Sequence, residues 1–146
     1  MQNKDVGFVL LEAAGTTAQN LLTQTYTMPP FGIGVSADGE NIPYTIDLDP
    51  RSTEPDTFLN TVIETVRSRT AEDKLKAAAF AYAGSVTRSE STGPENAICV
   101  QIEFDNGEMF VAYRVFTYES QTFNFEPECF SLPDEAAPGR IFIDPA

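Results

Sequence analysis

Two dipeptides constrain what this chain can fold into more than any other feature: Asp38-Gly39 and Asn106-Gly107, each set between runs of alternating apolar residues. Asp-Gly and Asn-Gly supply the positive-φ positions of a two-residue type I′ turn, so each predicts an antiparallel hairpin. A two-residue turn at Asn106-Gly107 joins strands over residues 97–104 and 109–118. It pairs Phe104 with Met109, Ile102 with Val111, Val100 with Tyr113 and Ile98 with Val115, which gathers large apolar side chains on one face. The other face carries Cys99, Gln101, Glu103, Phe110, Ala112, Arg114 and Phe116, a mixture that calls for partial cover by another element. The same geometry at Asp38-Gly39 joins residues 31–36 to 41–48 and pairs Val35 with Ile42, Ile33 with Tyr44 and Phe31 with Ile46. Gly32, Gly34, Ser36, Asn41, Pro43 and Thr45 are left as a flat strip on the opposite face. Pro43 has no N–H to give a ladder and places its strand at a sheet edge.

Helical spacing surrounds these hairpins. Val6, Leu10, Ala14, Ala18 and Leu22, with Val9, Ala13 and Leu21 beside them, predict a helix over residues 5–26. Gly15-Thr16-Thr17 marks a point where it could break, and Pro29-Pro30 stops it. Leu59, Val62, Ile63 and Val66 predict a second helix, capped by Thr53 or Asp56, with Arg67 and Arg69 at the negative end of its dipole. Residues 76–88 read as a strand: Phe80, Tyr82 and Val86 alternate with alanines, and the alanine side would let a helix approach closely. A polar loop over 89–96 and a last strand over 122–130, frayed at Pro127, complete the pattern. The expected architecture is one α+β domain over residues 1–131, an antiparallel sheet of five or six strands with two helices packed on one face. A Pro-rich tail, 132–146, follows; its apolar patch Ile141-Phe142-Ile143 is expected to stay outside the core.

Composition narrows the function classes. At 146 residues the chain can bury roughly 70% of its unfolded surface. Twenty-two acidic residues against 9 basic ones give a net charge of −13, a field that repels phosphate backbones and anionic lipid and attracts basic partners. Neither a nucleic-acid nor a membrane partner is expected. The start, with Lys4 and Asp5 ahead of an apolar run cut short at Glu12, makes a poor signal peptide, so the expected location is cytoplasmic. Cys99 and Cys129 form no CxxC pair and read as buried small hydrophobes.

Several stretches carry a resemblance. They are Pro30-Phe31-Gly32 through Asp38-Gly39, the following helix, Ala77-Ala78-Ala79-Phe80-Ala81-Tyr82, the run from Ala97 to Glu103, and Tyr113-Arg114. Together they resemble a group of small bacterial α+β proteins with a Pro-Phe-Gly hairpin and an Ala-rich third strand, some of them immunity-protein-like. The resemblance implies the fold and, for function, neutralisation of a toxin. It brings no catalytic residues to carry over, and Ala112 stands where the group commonly has a proline.

The absence of histidine removes Ser-His-Asp and Cys-His systems, imidazole ligands and imidazole acid–base mechanisms. Gly32-Ile33-Gly34 lies inside a strand and cradles no phosphate. Asp47 and Asp49 point to one side of a strand end and are candidate oxygen ligands for a divalent ion, as are Glu126 and Glu128, but solvated charge explains both pairs. Arg114 is a candidate anion anchor or the partner of a nearby acid. Three readings follow. The first is a non-enzymatic acidic module, needing no cofactor, that recognises a basic protein surface. The second is a homo-oligomer formed through the Gly32/Gly34 strip or the face around Phe110 and Phe116. The third is a carboxylate-based metal enzyme. Gly32, Gly34, Glu103, Phe110, Arg114 and Phe116 are the candidate binding residues.

Overall fold

The computed structural model describes residues 3–44, 46, 48–49, 51–91, 93–127, 130–132 and 141–142. Its elements are α1 (Asn3–Thr25), β1 (Phe31–Ser36), β2 (Asn41–Tyr44), α2 (Pro55–Arg69), β3 (Leu75–Thr87), β4 (Pro94–Phe104), β5 (Met109–Glu119), β6 (Thr122–Phe125) and β7 (Phe130–Leu132). The fold is α+β, with an antiparallel sheet in the order β2-β1-β3-β4-β5-β6. The short β7 joins the same edge of β5 as β6, opposite residues 111–113, so the last expected strand is split in two.

Both hairpins turn where expected and pair one residue away from the expected register. Gly32 faces Tyr44 and Gly34 faces Ile42 in the first; Ile102 faces Phe110 and Ile98 faces Arg114 in the second. The cause is common to both. The loops hold three residues, not two: Gly39 N–H donates to Ser36 O and Ser36 N–H to Glu40 O, and Gly107 and Phe104 repeat the arrangement with Phe104 and Glu108. Gly39 (φ +88°) and Gly107 (φ +95°) occupy the left-handed third position that ends such a turn. A one-residue slip sends every side chain of the second strand to the other face. Thus Phe110, Ala112, Arg114 and Phe116 share a face with Ile98, Val100 and Ile102, whereas Val111, Tyr113 and Val115 lie with Gln101, Cys99 and Ala97.

The helices lie on opposite faces of the sheet, not on one. Val6, Leu10, Ala14, Ala18 and Leu22 form a line at intervals of four along α1 and pack on Ala77, Ala79, Ala81, Ile98, Val100 and Ile102. Helix α1 runs unbroken through Gly15. On the other side, Phe58, Val62, Ile63 and Val66 of α2 pack on Tyr44, Leu75, Ala78 and Phe80. The reason is legible in β3 and β4: both are buried on successive residues, so a single layer of helices cannot cover them. Helix α2 opens on Pro55 at its first turn, where the missing N–H costs nothing; neither Thr53 nor Asp56 caps it, since the N-cap is Glu54 and makes no side-chain cap bond.

Candidate functional site

The structure separates the six candidate binding residues into three different settings. Gly32 and Gly34 are not an open strip. Both are covered: a β-carbon on Gly32 would stand 2.6 Å from Val66 Cγ2 of α2, and one on Gly34 2.7 Å from Leu75 Cδ2 of β3. Glycine here permits close approach of helix and sheet, a structural use. They remain on the face opposite Ile33 and Val35, as expected, and are buried because α2 covers that face.

Glu103 is wholly buried on the α2 side, 0% exposed, and grips the C-terminal segment. One carboxylate oxygen accepts from Ile141 N–H at 2.7 Å and from the Gln101 side-chain amide at 2.8 Å; the other accepts from Phe142 N–H at 3.3 Å. Backbone N–H groups meeting a carboxylate in a low-dielectric interior form strong, charge-assisted hydrogen bonds. Ile141, 1% exposed, enters the core formed with α2, so the tail is not excluded from the core at this residue.

Phe110, Arg114 and Phe116 lie on the α1 side and line up along β5. Phe110 packs at the helix's N-terminal end, 3.1 Å from where a β-carbon of Gly7 would sit. Phe116 belongs to a chain of rings: it lies 6.1 Å from Phe123 and 6.0 Å from Phe125, Phe123 lies 4.6 Å from Tyr118, and Tyr26 closes the chain at 6.0 Å from Tyr118. The far end of this wall is open to solvent, with Tyr26 61% and Tyr118 48% exposed. Two local devices hold it there. Tyr26 takes the left-handed residue after α1 (φ +63°), its N–H bonded to Leu22 O, a position that glycine ordinarily fills. Ser120 and Gln121 (φ +52° and +64°) make the tight two-residue turn that brings Tyr118 beside Phe123.

Between Phe116 and Phe110, a groove of about 410 Å³ runs along the flank of α1, walled by Phe8, Leu11, Gly15, Ile98 and Val100 with Arg114 at its side and Glu12, Thr16 and Gln19 among its lining. Arg114 Nη1 donates to the backbone carbonyl of Glu126. The Glu126 carboxylate itself is engaged elsewhere, at 2.8 Å from Arg88, which also takes Glu95 at 2.7 Å. Arg88 holds the Glu95 carboxyl below its usual range.

The remaining titratable groups do not form a reaction centre among the described residues. Tyr44 donates to Asp73 at 2.7 Å; burial first, and this bond second, raise the phenol. Asp73 is held below the usual carboxylate range by that hydrogen bond and by Arg69. On the same side of the sheet as Tyr44, burial pushes the Cys99 thiol up to about 11 and the adjoining Tyr82 phenol up to about 12, away from neutrality. Among the described residues no group of three or more Cys, Asp or Glu is placed to hold a metal ion. Asp49 is exposed, while Asp47, Glu128 and Cys129 lie outside the described residues. No helix is long and apolar enough to cross a membrane.

The composition and pairing rules pointed to Arg114 and Phe116 but missed Tyr26 and Tyr118. The available signal was a tyrosine, not a glycine, between the end of a helix and a Pro-Pro stop. No family model, no curated protein and no solved structure matches the chain.

Proposed function

We propose that this chain is an acidic, non-catalytic binding module that recognises a basic protein surface, with the open end of the aromatic wall, Tyr26 and Tyr118, as its contact face. The observation that supports it is the pairing of two exposed tyrosines with a net charge of −13. Two further points agree. Two of the 9 cations are each engaged by two of the chain's own acids, Arg69 by Glu72 and Asp73 and Arg88 by Glu95 and Glu126, so neither offers an uncompensated positive charge. Aromatic faces attract guanidinium and ammonium groups, about 0.5–1 kcal/mol each at exposed sites, and tyrosine makes contacts at low entropic cost. An immunity-like role, in which the acidic module masks a basic toxin surface, is one form of this reading.

Tyr26 offers an unusually clean test. A non-glycine residue in the left-handed region costs roughly 1–2 kcal/mol, and one aromatic contact returns about 0.5–1.5 kcal/mol. Tyr26→Gly therefore leaves stability within about 1 kcal/mol of the parent while removing a ring and no charge. Titration of an arginine-rich peptide by calorimetry at low salt is expected to show affinity reduced about tenfold in the Tyr26→Gly/Tyr118→Ala variant. Equal affinity in parent and variant would reduce binding to bulk charge and sink the assignment of this face.

A further inference from the structure

We infer that the groove along the flank of α1 is a binding site for a monoanionic amphiphile, an apolar chain ending in a carboxylate, with Arg114 receiving the head. It stands apart from the tyrosine face and does not depend on it.

Three observations carry it. The cavity, about 410 Å³, falls in the range of roughly 300–1,000 Å³ typical of small-ligand pockets. Its walls, Phe8, Leu11, Ile98 and Val100, suit an apolar tail. The second is the state of Arg114. It is half-buried, donates to one backbone carbonyl, and among the described residues has no carboxylate within 4 Å, in a chain with 22 acids to 9 cations. Glu126 gives Arg114 its backbone carbonyl and gives its carboxylate to Arg88. A guanidinium's remaining N–H groups form a planar fork that a carboxylate matches in two parallel bonds. The third is Gly15. A glycine inside a helix costs about 1 kcal/mol relative to alanine. Gly7 has a packing reason, since Phe110 leaves it no room, but a β-carbon on Gly15 would meet nothing within 4 Å. Its missing side chain keeps the groove open. The head is a single negative charge because the anionic field of the chain, with Glu12 in the lining, opposes a dianion more than a monoanion.

The test is a head-group series on the full chain, decanoate, decanol and decyltrimethylammonium, each below its micelle threshold, read by calorimetry and by thermal shift. Decanoate is expected to bind about tenfold more tightly than decanol, and the cationic amphiphile no more tightly than decanol. Arg114→Gln should bring decanoate to the level of decanol. Gly15→Leu should fill the groove and abolish binding of all three while raising the melting temperature. Because Arg114 also holds the Glu126 carbonyl, a misfolded Arg114→Gln protein leaves the decision to the head-group series on the parent and to Gly15→Leu. Equal binding of decanoate and decanol, decanoate affinity unchanged in a folded Arg114→Gln or Gly15→Leu variant, or no binding of decanoate to the parent would each overturn the inference.

Discussion

The two faces of the sheet are covered in different ways beneath the two helices. Toward α2, Gly32 brings the helix into contact with the sheet, and Ile141 joins the same core under the grip of Glu103. Toward α1, alanines at Ala77, Ala79 and Ala81 do similar work, but the helix flank is hollow at Gly15 and the adjoining strand carries Arg114. The contrast teaches that small residues close a face only when something larger is delivered to it. The α2 side receives a segment from far along the chain, and the α1 flank receives none among the described residues.

The most severe break of this contrast is Glu103→Ala. It strands the amides of Ile141 and Phe142 in the interior and unseats the tail, at a cost of about 3 kcal/mol. Urea unfolding measures it, and a loss under about 1 kcal/mol would mean that the tail does not close the α2 face. Next comes one substitution made twice. Gly32→Ala forces a β-carbon against Val66 and should destabilise by about 2 kcal/mol. Gly15→Ala meets open space inside a helix and should stabilise by about 1 kcal/mol. Equal signs in thermal denaturation would erase the distinction between the faces.

The smallest effect is electrostatic. Asp73 and Glu95 both titrate below their usual ranges when folded, so their pairs support the fold above the unfolded carboxylate values of about 4 and stop doing so as pH falls through the folded values. Asp73→Asn should lower stability modestly near pH 7, where the carboxylate's support is fully present, and flatten the fall in stability on the acid side of about pH 4. Both carboxylates are solvent-accessible, so the change is modest.

Much of the fold was written in short-range pattern. The glycine after Asp38 or Asn106 located both hairpins, the i, i+3, i+4 spacing located both helices, and alternation in residues 76–88 chose strand over helix, the strand observed being Leu75–Thr87. What a dipeptide does not specify is loop length. Asp-Gly and Asn-Gly fit a two-residue primed turn as well as the last two positions of a three-residue loop, and choosing the former displaced two registers by one residue. That displacement turned Arg114 to the same side as α1, whereas Gly32 and Gly34 went from strip to core because α2 covers their face. The helices were placed on one face because alternation was read as one buried side, whereas β4 is buried on both. Glu103 and Ile141 were beyond local pattern altogether: they are 38 residues apart, and burial of an acid depends on the partner that arrives. The tyrosine wall has the same character, since Tyr26 and Tyr118 meet only through the whole sheet.

The central claim is that a basic partner docks on Tyr26 and Tyr118. Amide chemical-shift mapping of the ¹⁵N-labelled chain during titration with an arginine-rich peptide tests it most directly. The account predicts that the largest shifts cluster at residues 24–27 and 116–124, and that they survive moderate salt better than scattered shifts elsewhere, because the aromatic contacts are screened less than surface charges. Shifts spread evenly over the acidic surface, or centred away from both tyrosines, would contradict it.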